Sequence, residues 1–222
     1  MPVAEASVET RSTFIWRTYG HVAAAILLFA AIELYLFESG LAMPLAQRML
    51  TVPWLLILGA FMVVGWLATH VAQTAQSKPV QYVALVGFVA AEAIIFLPLL
   101  AIAMTLQPGI VESAVGATLL GTAGLTAVAF ITRKDFSFLR GILVWGGMLA
   151  LIGIVLSVFF GFELGTWFSV AMIGFAGAAV LFDTSNILHH YPEDRYVGAA
   201  LALFASIALM FWYVLRLFMS RD

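Results

Sequence analysis

The chain contains no cysteine, and charged residues make up only 10% of its 222 positions. Without cysteine there is no disulfide framework and no thiolate to hold a structural zinc or an iron–sulfur cluster. Basic charge is equally scarce: the formal net charge is -2 and no basic run is longer than Arg133-Lys134, so nucleic acid is excluded as a partner. The two lysines, Lys78 and Lys134, fall in polar stretches between apolar runs, which leaves no lysine inside a helix for a retinal Schiff base. Enzyme signatures are missing too. There is no serine nucleophile elbow, no phosphate-binding loop and no HExxH pair. The sequence therefore reads as a protein that is not an enzyme and carries no cofactor or metal.

Apolar residues fill the chain instead. At 64% hydrophobic it lacks the polar surface to cover a water-soluble globule, which puts it in a bilayer. Runs long enough to cross about 30 Å of hydrocarbon need roughly 20 residues. Seven are marked off by charges and turn residues, at 20–37, 53–73, 79–104, 113–132, 141–160, 167–188 and 197–218. The expected fold is all-α, a polytopic membrane bundle of seven transmembrane helices. Residues 1–19 form an N-terminal tail, 20–218 a single transmembrane domain and 219–222 a C-terminal tail. The tail's Ser, Thr, Glu and Arg content reads as disordered.

Lys and Arg counts set the orientation. Seven (Arg11, Arg17, Lys78, Arg133, Lys134, Arg140, Arg195) lie on the side of the N-terminus and three (Arg48, Arg216, Arg221) on the other, giving N-terminus in and C-terminus out. Trp16, Trp54 and Trp167 fall near the ends of the runs, where interfacial anchors sit. Small residues on the fourth and sixth runs, Gly116-Ala117 to Gly121 and Gly174 to Gly177-Ala178, permit close helix packing.

Three acidic residues lie within the spans. Glu33, about one turn from the outer end of the first run, can snorkel to the interface. Glu92, some 13 residues or about 20 Å into the third run, has no water in easy reach; it needs a polar cavity, a proton or a hydrogen-bonding partner. Asp183 is the most informative, because an ionised group in an otherwise apolar run costs several kcal/mol unless it is paired or takes up a proton. Thr184, Ser185 and Asn186 follow it where a lipid-facing helix would carry Leu or Val, so this face points inward. One reading makes Asp183 a proton-linked gate whose change of charge moves a helix end; the other makes it a helix-end carboxylate bonded to neighbouring hydroxyls. His189 and His190 follow at the membrane surface as solvated residues, about 100° apart and badly placed for a shared metal.

The string Phe182-Asp183-Thr184-Ser185-Asn186-Ile187-Leu188-His189, followed by a short polar loop and one last apolar run, resembles the Bax inhibitor-1 family. The stretches Thr132-Arg133-Lys134-Asp135-Phe136-Ser137-Phe138-Leu139 and Ser220-Arg221-Asp222 look like its bacterial branch, typified by the modulator of FtsH protease. The resemblance implies a protein of the bacterial inner membrane with either of two activities. In one, the protein binds the membrane-anchored AAA protease FtsH, which draws it in through a flexible cytoplasmic N-tail. In the other, it conducts calcium or other cations through a pore closed by two aspartates in the last two helices, with shared protons setting the gate. Asp183 matches the first aspartate, and Ser206 stands where the second would be. A Ser–Asp hydrogen bond can replace the shared proton structurally but not electrostatically, since two close carboxylates resist joint ionisation and a hydroxyl does not. The candidate site is thus Asp183, Ser206 and Glu92, supported by Thr184, Ser185, Asn186 and His189.

Overall fold

The structure, a computed structural model, describes residues 2–220. A 3-10 turn, Val3–Glu5, precedes eight α-helices: α1 Val8–Glu38, α2 Ala42–Leu50, α3 Trp54–Thr74, α4 Lys78–Leu106, α5 Ile110–Thr132, α6 Leu139–Phe160, α7 Gly165–His189 and α8 Tyr196–Met219. Seven of them, all but α2, are long and apolar enough to cross a bilayer, and each corresponds to one expected span. The all-α membrane fold is as expected. Arg221 and Asp222, part of the terminal motif and of the charge count, lie outside the described residues.

Two features differ from the sequence reading. The segment read as a disordered tail is helical from Val8 onward, capped by Ser7, whose hydroxyl accepts from the Thr10 N–H at 3.2 Å. Polar composition suggested disorder, but a Ser N-cap with Glu9 in the first turn starts a helix that the apolar run then carries on. Trp16 consequently sits two turns inside α1, while Trp54 opens α3. The second feature is α2, in a stretch read as loop. Ala42 and Ala46, one turn apart, are buried in a cluster with Leu97 and Ala101 of α4, and Leu36 and Phe37 of α1 pack against it.

The described residues divide into two units. The first takes in Met1–Ile102 and His190–Phe204. Its aromatic core joins α1, α4 and α8: Phe29 meets Phe96 edge-on at 5.2 Å, and Phe88 meets Phe204 edge-on at 6.2 Å. The C-terminal end of α3 is tied to the start of α8. The Ala75 carbonyl accepts from Arg195 Nη1 at 2.5 Å and from Gln81 Nε2 at 2.7 Å, so a cation faces the negative end of α3. A Cβ on Gly198 would lie 3.0 Å from the Ala72 carbonyl oxygen, so any larger residue would have to push α3 and α8 apart. Lys78 Nζ donates to the Asp194 carbonyl and lies 4.3 Å from the centre of the Tyr196 ring.

The second unit takes in Ala103–His189 and Ala205–Asp222. Within it α7 packs on both α5 and α6. A Cβ added at Gly177 would lie 3.3 Å from Leu125, one at Gly146 would lie 3.1 Å from the Phe175 ring, and one at Gly121 would lie 3.6 Å from the Met210 sulfur. Gly116 and Gly174 face open space, so only part of the small-residue pattern serves close packing. No residue of α6 is buried, and its Trp145, Phe159 and Phe160 stand outward with Trp167 of α7. An apolar surface on that scale requires lipid or a partner against it.

Candidate functional site

The buried stripe of α7 runs through Met172, Ala176, Val180, Asp183 and Ile187, spaced three or four residues apart on one helical face. Asp183 is therefore held on the core side by the apolar residues before and after it. It is 9% exposed, and Ser206 on α8 is 8% exposed. Ser206 Oγ donates to Asp183 Oδ2 at 2.6 Å, a short contact of the kind a hydroxyl makes with a carboxylate. Both residues belong to the second unit.

The flanking hydroxyls have separate roles. Ser185 is fully buried, and its Oγ accepts from the Phe136 backbone N–H at 2.8 Å, pinning the α5–α6 connection to α7. That connection is further shaped by Asp135, whose carboxylate accepts from the Ser137 N–H at 2.8 Å, and by Arg133 in the left-handed region at φ 50°. Thr184 is fully buried, yet its Oγ1 has no hydrogen-bond partner among the described residues. Asn186 and His189 are half-buried further along α7, and His190 is exposed. His189 is thus not the solvated surface residue that the sequence suggested. It closes α7 with its ring partly covered.

The other two acids lie in the first unit. Glu92 is 6% exposed on α4, one turn from the buried Phe88 and one from Phe96. Glu33 corrects the sequence reading. It does not snorkel outward: it is 7% exposed, and neither carboxyl oxygen has a hydrogen-bond partner among the described residues. The reason is its register. Glu33 lies one turn from Phe29, which packs on Phe96, and one turn from Phe37, which packs on the Leu97–Ala101 cluster, so it shares their inward face. Sequence depth alone carried no signal of which way the side chain faced.

Among the described residues no group of three His, Asp or Glu side chains could hold a metal ion. What the Asp183–Ser206 pair offers chemically is one carboxylate and one hydroxyl in a nearly dry setting. It can lock α7 to the middle of α8 and hold a negative charge or a proton. Without a second carboxylate it cannot share a proton between two acids.

The sequence profile described as "Inhibitor of apoptosis-promoting Bax1" matches residues 11–222, nearly the whole chain. The chain belongs to the Bax inhibitor-1 family. A relative named "Modulator of FtsH protease YccA" from Escherichia coli is 36% identical over 116 residues, 51% of this chain and 52% of that protein. The counterpart in a second Escherichia coli strain, named "Inner membrane protein YccA", matches to the same extent. The chain spans about half the length of these curated relatives, 52%. Bax inhibitor 1 of the yeast Schizosaccharomyces pombe is 29% identical over 97% of this chain and 79% of its own length. In this family member the last two helices pair a carboxylate with a hydroxyl.

Proposed function

We propose that the protein resides in the bacterial inner membrane, N-terminus in the cytoplasm and C-terminus in the periplasm, and binds and modulates the membrane-anchored AAA protease FtsH. The observation that carries this reading is the 36% identity to a protein named for modulating FtsH. The seven-to-three excess of Lys and Arg on the N-terminal side supports the orientation, which brings residues 2–19 to the side where an ATP-driven protease works. Tagged protein purified from membranes should retain FtsH, and a chain lacking residues 2–15 should retain less and survive longer in cells with active FtsH. Recovery of FtsH at background level with the full chain would overturn the reading.

A second reading is carried by the buried Asp183 itself: a calcium or cation leak path, with Asp183 and Ser206 at its cytoplasmic seal and Glu92 a further proton-linked candidate. Here Asp183→Asn should change calcium flux into proteoliposomes and the dependence of that flux on pH. Identical flux in variant and wild type would remove it.

A further inference from the structure

The N-terminal segment is attached to the protein's own chain. The Val3 N–H donates to the Tyr191 carbonyl at 2.9 Å, Pro2 and Pro192 form an antiparallel bridge, and Val3 is completely buried. Both prolines lack an N–H, and the hydrogen bond joins Val3 and Tyr191, the flanking residues. That places Pro2 and Pro192 as a non-hydrogen-bonded pair, the ladder position that asks nothing of either nitrogen. The 3-10 turn then closes through Glu5 N–H to Pro2 O at 3.0 Å and Ala6 N–H to Val3 O at 3.3 Å, before Ser7 caps α1.

The surface it attaches to is itself held. The connection between α7 and α8 turns through Arg195 N–H to Pro192 O at 2.9 Å, and it is tied to the α3–α4 corner by Lys78 on the Asp194 carbonyl and Arg195 on the Ala75 carbonyl. All of these residues lie in the first unit. Upstream of Val8 the segment is therefore clipped, and downstream it is helix.

We propose that this contact is a clip that controls access to the N-terminal segment, so that FtsH engages only the fraction of molecules in which residues 2–7 have left the α7–α8 connection. The proposal rests on the FtsH reading above and adds its regulation. A protease that needs a free strand cuts in proportion to the open population when opening is fast. A fully buried valine shifts such an opening equilibrium by roughly ten- to a hundredfold. A clip of this size would make engagement slow without forbidding it, and anything that disturbed the α7–α8 connection would speed it.

The chain's lack of cysteine makes the test clean. A non-hydrogen-bonded antiparallel pair has Cα atoms about 4.5 Å apart, within disulfide range, so Pro2→Cys with Pro192→Cys should cross-link on mild oxidation in proteoliposomes. With purified FtsH and ATP, the oxidised double variant should persist while its reduced form and each single variant are degraded at the wild-type rate. Val3→Asp should be degraded about tenfold faster, because its carboxylate cannot occupy the buried site. Equal degradation of oxidised and reduced forms overturns the clip alone, as does failure of the disulfide to form. If FtsH degrades a control substrate but not the reduced variant or wild type, the FtsH reading itself falls, and the clip's regulatory role with it.

Discussion

Removing the hydroxyl of Ser206 tests how much the Asp183 site contributes to the fold. The Ser206–Asp183 bond is 2.6 Å long and its partners are 8% and 9% exposed, so water can replace it only poorly. A hydrogen bond to a charged group is worth about 1.5–3 kcal/mol. In a chain of this size each kcal/mol moves Tm by about 2–4 °C, so Ser206→Ala should lower Tm by about 3–12 °C. The measurement is a double-mutant cycle of Ser206→Ala, Asp183→Ala and the double variant, unfolded in detergent and followed by tryptophan fluorescence. The cavity left by each truncation largely cancels around the cycle, and the coupling that remains should be about 1.5–3 kcal/mol. A coupling under about 0.5 kcal/mol, the limit for independent sites, would refute the pairing of α7 with α8 through these side chains.

Three further outcomes follow from the packing. Ser185→Ala strands the Phe136 N–H, so it should cost about 1 kcal/mol and make the connection at Arg133 and Lys134 more open to trypsin; unchanged cleavage would show that the bond does not order the loop. Glu33→Leu and Thr184→Val remove buried oxygens that have no partner among the described residues, so each should hold or raise the unfolding free energy, by about 1–3 kcal/mol for Glu33, with Tm unchanged or higher; a fall in Tm would reveal a further partner. Gly198→Ala brings a methyl within 3.0 Å of the Ala72 carbonyl oxygen and should cost about 1–3 kcal/mol, read as a lowered Tm; a neutral result would mean that α3 and α8 separate without cost.

Much of the fold was legible in the sequence because hydrocarbon thickness imposes a length that apolar runs display directly. All seven spans were readable for that reason. The nine-residue α2 was not, since it is too short to register as a span, and the meaning of Ala42 and Ala46 appears only with Leu97 and Ala101 set against them. The start of α1 was hidden by polar composition, which describes solubility better than conformation. At the site, Asp183 announced itself by cost, as any ionisable group in an apolar run does. Ser206 was legible only through the family resemblance, because a serine in a membrane helix carries no such cost.

By itself the sequence determined the solvent and the number of crossings, and it made Asp183 the exceptional residue, because each of these follows from transfer free energies that add up along the chain. Tertiary structure alone decided which polar groups meet. Ser206 lies 2.6 Å from Asp183, Ser185 turns to Phe136, Thr184 finds no partner among the described residues, Glu33 faces inward, and Val3 is clipped to Tyr191. Contacts of this kind depend on helix rotation and register across segments far apart in sequence. A rotation of one residue, about 100°, changes every partner and leaves the hydrophobic pattern of the spans intact.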